Sequence, residues 1–281
     1  MSHRRDREET RPARAFARRI SPQPLAAKVP EIGFLFWVVK LLTTAGGEAA
    51  SDSLSHNIPV GVAVDLFLIV TALFFQFRTR RYVAIAYWYL ALAIATFGTG
   101  AADVLHLDLG LPYTVTTLLW AVVLGVVFWR WYRSEGTLSI HSIVTRRREG
   151  YYWATVFATF ALGTALGDLT AITLHLGYLG SGIMFAVIIA VPAIAWRMGL
   201  NPVAAFWSAY IVTRPLGASF ADYFSKPRAL SGLNFGDLPT TAVFVVAIVA
   251  LVGYLQVTRR DIQPAAVEAE RVWPRDPSPA A

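Results

Sequence analysis

The chain has 281 residues, 56% of them hydrophobic and only 15% charged, with no cysteine and three methionines. A soluble domain carries about 25% charged residues, so the deficit points to lipid as the solvent; the missing thiols exclude disulfides, thiolate metal centres and iron–sulfur clusters. The net charge of +7 sits at the edges of apolar runs, which argues against nucleic acid and for the lipid bilayer as the partner of the apolar part.

Residues 1–28 hold seven arginines and Lys28 among prolines, without apolar periodicity, and read as a disordered basic cytoplasmic tail. The run Ile32 to Leu42 has the look of a signal peptide, but its pattern returns three times in the interior, so cleavage is rejected. That pattern is an aromatic pair, a glycine ten residues after the tryptophan and an aspartate fifteen after it. Phe36-Trp37 leads to Gly47 and Asp52, Tyr87-Trp88 to Gly98 and Asp103, Tyr152-Trp153 to Gly163 and Asp168, and Phe206-Trp207 to Gly217 and Asp222. Copies begin 51, 65 and 54 residues apart, and such a period marks repeated supersecondary units.

Eight segments are long and apolar enough to span a bilayer, which takes roughly 20 residues each: 30–51, 59–77, 82–104, 112–131, 150–170, 179–197, 202–222 and 239–258. The expected fold is all-α, a polytopic integral membrane protein of four tandem parallel two-helix repeats (29–78, 79–132, 149–198, 199–258), each a helical hairpin. Residues 259–281 read as a second disordered tail. Of the 25 lysines and arginines, 21 lie before the first span, after the last one, or in and at the edges of the even-to-odd connections. By the positive-inside rule both termini are cytoplasmic.

The odd helices then run outward, with the tryptophans near the inner edge and the aspartates near the outer one. Interfacial anchoring and packing between repeats both account for the tryptophans. Gly47, Gly98, Gly163 and Gly217, with Gly167, lie on small-residue faces that let helices approach closely in lipid, which predicts that the four odd helices pack together centrally. The adjoining column is polar and includes Lys40, Glu48 and Asp52 on the first helix, Thr99 and Asp103 on the third, Thr164 and Asp168 on the fifth, and Arg214 and Asp222 on the seventh. A charge at the bilayer centre costs about 2.5–3.5 kcal/mol, so it calls for a partner or a function.

An acid at a helix C-terminus opposes the macrodipole; capping of a following turn, binding of a cation or proton, and internal ion pairing are the three compensations open to these aspartates. Carboxylates and hydroxyls form a hard oxygen set suited to protons, Na⁺, Mg²⁺ or Mn²⁺. No metal site is assigned, but His56 beside Asp52 and His106 beside Asp103 have spacings at which a ligand can be shared. Arg214-Pro215 marks the seventh helix as a candidate hinge, since proline removes a helical hydrogen bond. No nucleophile–base arrangement, phosphate loop or cofactor motif appears, so an enzyme is the least supported class.

The stretches Lys28-Val29-Pro30-Glu31-Ile32, Phe36-Trp37 to Thr44, Tyr151 to Asp168 and Phe206 to Tyr223 resemble an uncharacterised bacterial "membrane-anchored protein" family built from a fourfold repeat of unknown function. The resemblance covers about residues 28–258 and implies a bacterial inner-membrane protein, without an activity. Two functions follow from the residues themselves: a secondary transporter or exporter of a small cation through the acids and threonines of the odd helices, or a scaffold binding itself or another membrane protein through small-residue faces.

Overall fold

The computed structural model describes residues 27–263, so both expected tails lie largely outside the described residues. Its long helices are α1 (Phe34–Ser55), α2 (Ile58–Arg78), α3 (Ala84–Asp108), α4 (Tyr113–Glu135), α5 (Arg146–Thr173), α6 (Gly177–Arg197), α7 (Pro202–Ser225) and α8 (Asp237–Thr258). Local chemistry sets several starts and stops. The Asn57, Thr145 and Asn201 side chains cap α2, α5 and α7, with Pro202 in the first turn of α7, the residue types that satisfy orphan amides at helix starts. Gly136, at φ 69°, closes α4, a left-handed conformation that glycine adopts without steric cost.

Six of the eight helices are long and apolar enough to cross a membrane; α1 and α7, which carry Lys40, Glu48 and Asp52 and Arg214 and Asp222, are not among them. The packing shows where those charges go. The odd helices form a closed ring in which α1 touches α3 and α7, and α5 touches the same two. The even helices stand outside it. Only 11% of the most apolar stretch of α2 is buried, against 72% of that of α5, so the ring is the protein interior and the even helices leave their apolar faces exposed. Phe67, Val70, Leu118, Val122, Val187, Val246 and Val249 are exposed on the even helices, a surface that water does not tolerate in a monomer.

The repeats do not fold as separate hairpins. Each even helix packs chiefly on the odd helix that opens the next repeat: α2 on α3, α4 on α5, α6 on α7, and α8 back on α1. The physical reason lies in the ring, where each small-residue face is taken by the next repeat. A Cβ on Gly47 would meet Ala95 Cβ at 2.2 Å, one on Gly98 Phe160 Cβ at 2.8 Å, one on Gly163 Arg214 Cγ at 2.2 Å, and one on Gly217 Thr44 Oγ1 at 1.9 Å. In all four cases the glycine ten residues after Trp receives the residue seven after Trp in the following repeat, and the fourth repeat receives the first. Gly167 is less confined, with its nearest neighbours 3.8 Å from a Cβ.

The same cyclic rule builds a layer at the tryptophan end of the ring. Phe36 packs on Trp88 (ring centroids 5.7 Å), Tyr87 on Trp153 (5.2 Å), Tyr152 on Trp207 (6.1 Å) and Phe206 on Trp37 (5.8 Å). Trp88, Trp153 and Trp207 are at most 5% exposed. Trp88, Trp153 and Trp207 thus pack between repeats, while Trp37 is half-buried. Beyond this layer the described residues that flank the helices, around Lys28 and Gln263, pack against the bundle. Lys28 is 1% exposed and pairs with Glu149 at 2.6 Å, Asp261 accepts from the Tyr82 hydroxyl, and Gln263 Nε2 donates to Val29 O at 3.0 Å. Burial pulls the Lys28 ammonium down to about 8 against the attraction of Glu149.

Pro215 does not part α7, which is continuous. The interruption lies in α6, at Ile189, three residues before Pro192. Pro215 is held inside the ring against α5, its Cδ 3.0 Å from where a Cβ on Gly163 would stand. Two flanking ring neighbours thus keep α7 continuous, while α6, supported mainly by α7, is interrupted near its own proline.

Candidate functional site

The polar column converges on the ring axis, outward of the aromatic layer. Arg214 Nη2 donates to Glu48 Oε2 at 2.5 Å, to Thr164 Oγ1 at 2.6 Å and to Thr99 Oγ1. The two threonine hydroxyls also reach Glu48 Oε2, at 3.0 Å for Thr99 and 3.3 Å for Thr164. Glu48, Thr99 and Thr164 occupy one repeat position, eleven residues after Trp, on α1, α3 and α5. In the fourth repeat that position is Ala218, and the arginine one turn earlier fills the space. All four polar side chains are at most 3% exposed. A buried ion pair needs such extra hydrogen bonds to offset its desolvation.

One layer inward, Lys40 is 1% exposed and its Nζ has no hydrogen-bond partner among the described residues. It stands 3.9 Å from the Phe160 ring centroid and 4.2 Å from that of Tyr210. Arg214 lies on the same Phe160 ring at 5.2 Å. Ring faces attract cations, by about 2 kcal/mol when desolvated, so the aromatic pair stands in for a counter-ion.

One layer outward come the aspartates. Carboxylate oxygens of Glu48, Asp52 and Asp222 lie within 4.8 Å of one another. Asp222 is 3% exposed, and its Oδ1 has no hydrogen-bond partner among the described residues. Asp103 and Asp168 are half-buried and within electrostatic reach of Glu48 and Asp52, but their oxygens are not part of that trio. Neither caps a following turn: α3 and α5 continue past them into a wide turn, Val104–Asp108 and Leu169–Thr173, with no side-chain capping bond. Capping therefore fails for these two aspartates. Asp52 pairs with Lys226 Nζ at 2.8 Å.

Neither histidine joins the acids. His56 Nδ1 meets the backbone oxygen of Asp52 at 3.0 Å, and His106 stacks on Tyr113 at 3.7 Å while its Nδ1 meets Leu111 O at 2.8 Å. Lys226 lies in the connection between α7 and α8, outside the polar column. Its Nζ also reaches Asp237 Oδ1 at 3.3 Å. Burial lowers its proton affinity, but Asp52, Asp222 and Asp237 outweigh burial and hold the ammonium above the usual lysine range. The signal available in the sequence was that Lys226 and Arg228 are the two lysine or arginine residues in the connections that follow odd helices.

A family model described as Repeat of Unknown Function (DUF347) matches residues 35–82, 86–137, 151–198 and 205–261. The chain belongs to this family. Each match takes in one odd helix and the even helix that follows it, so the DUF347 unit in the sequence is the helix pair, although the two helices of a unit pack mainly on different neighbours. No curated protein and no solved structure matches the chain.

Proposed function

We propose that this protein is a secondary transporter of a small, hard cation, with Glu48, Asp52 and Asp222 as its site. The observation that carries the reading is the approach of three carboxylates to within 4.8 Å of one another, in a nearly closed interior. Five acids (Glu48, Asp52, Asp103, Asp168 and Asp222) share this region with two contacting bases, Arg214 and Lys226. The remaining negative charge is costly inside a membrane, and taking up protons or a metal cation offsets it. Carboxylate and hydroxyl oxygens are the ligand set of a divalent ion such as Mn²⁺ or Mg²⁺.

In this reading the chain spans the bacterial inner membrane eight times, with both termini in the cytoplasm, which the distribution of basic residues supports. In the same reading the aromatic layer and the packed segments around Lys28 and Gln263 close the cytoplasmic side, and the half-buried Asp103 and Asp168 lie toward the opposite side. The scaffold alternative is weaker, because Gly47, Gly98, Gly163 and Gly217 are already used within the chain. The test is flux into proteoliposomes across a panel of Mn²⁺, Mg²⁺, Ca²⁺, Zn²⁺, Na⁺ and protons. Wild type is expected to carry one of these ions, and Glu48→Gln and Asp222→Asn, recovered folded, to lose that flux. Silence of the wild type across the panel refutes the reading.

A further inference from the structure

Lys226 is built differently from the other charges of the site. Its backbone is fixed: its amide donates to Asp222 O at 2.8 Å, its carbonyl accepts from Asn234 N at 2.9 Å, and a Cβ on Gly232 would collide with that carbonyl at 1.9 Å. Leu233, Phe235 and Gly236 donate to the carbonyls of Tyr223, Phe224 and Ser225, so the loop folds back on the last turn of α7 and satisfies its orphan carbonyls. Only the side chain is free to move. It is 22% exposed, and it bridges Asp52 on α1 and Asp237 at the start of α8. It reaches the site from the outer side, where the acids are half-buried, and it neutralises an acid of the trio without being deeply buried itself.

We propose that Lys226 is a tethered cation that occupies the outer acid of the site, and that an external metal ion must displace its ammonium from Asp52 to enter. This rests on the cation reading of the same acids. An ammonium on a flexible stem is a point charge that a divalent ion can replace at a carboxylate without distorting the backbone. Arg214, fully buried and bonded to three partners, is the fixed counter-ion; Lys226 is the exchangeable one. Oδ1 of Asp222, without a hydrogen-bond partner among the described residues, gives the incoming ion a free carboxylate oxygen.

The experiment titrates MnCl₂ against the detergent-purified full chain and follows the unfolding temperature, for wild type, Lys226→Gln, Lys226→Arg and Asp222→Asn. Without metal, Lys226→Gln is expected to unfold at a lower temperature than wild type, because Asp52 loses its partner. With metal it is expected to recover, and its half-saturating Mn²⁺ concentration to fall by about tenfold or more, the equivalent of removing about 1.4 kcal/mol of competition. Lys226→Arg, which keeps the charge, is expected to bind as wild type does, and Asp222→Asn to lose the response. Equal half-saturation in wild type and Lys226→Gln overturns the role of Lys226 and leaves the cation site standing. No response to Mn²⁺ in either chain, or a full response in Asp222→Asn, overturns the site itself.

Discussion

Glu48 and Arg214 are the residues on which interior charge balance turns. Removing one partner of a buried pair leaves the other uncompensated, a cost of about 3–5 kcal/mol. Glu48→Gln is therefore expected to destabilise the protein by that order, measured by chemical unfolding in detergent. Replacing both, as Glu48→Leu with Arg214→Met, is expected to return stability close to wild type while cation flux stays absent, which separates the chemistry of the pair from its packing. At this scale the sequence carried the column but not the partners. Equal spacing from Trp put Glu48, Thr99 and Thr164 at one depth, yet that Arg214 would meet all three depends on how the helices are ordered around the ring. Lys40 was legible as a charge in a span; its pairing with Phe160 and Tyr210 was not, because those rings come from two other repeats.

Helices in this molecule are placed by what their glycines admit. Gly163 and Gly217 accept the Arg214 stem and Thr44 Oγ1 where a methyl would stand within 2.2 Å. Gly163→Ala and Gly217→Ala are expected to cost about 1–3 kcal/mol or more by overpacking, whereas Gly167→Ala, with 3.8 Å of room, is expected to change stability little. Thermal unfolding of the three variants side by side checks the contrast. The small-residue period was readable because helix geometry repeats every turn. It did not reveal that each groove takes the next repeat rather than its own hairpin partner, since a one-dimensional pattern does not encode which neighbour fills it. The proline argument misled for a related reason: whether a helix parts at proline depends on the support around it, and α7 has ring neighbours on both sides that α6 lacks.

Over the whole molecule, four copies of one helix pair close into a ring and then depart from symmetry where charge is handled. The fourth repeat alone supplies an arginine at the axis and a lysine paired with Asp52, and the first alone supplies a glutamate at the axis. Symmetry builds the barrel of helices and its aromatic floor; the departures make the trio of Glu48, Asp52 and Asp222 asymmetric, with acids from the first and last repeats meeting where the ring closes. That closure was beyond the sequence, because it joins residues 166 positions apart. The most direct test is an X-ray structure of the full chain crystallised with Mn²⁺, located by its anomalous signal. The account predicts one peak bounded by the carboxylates of Glu48, Asp52 and Asp222, with Lys226 turned away from Asp52. A saturating soak that leaves that position empty, with Lys226 still bridging Asp52 and Asp237, would contradict it.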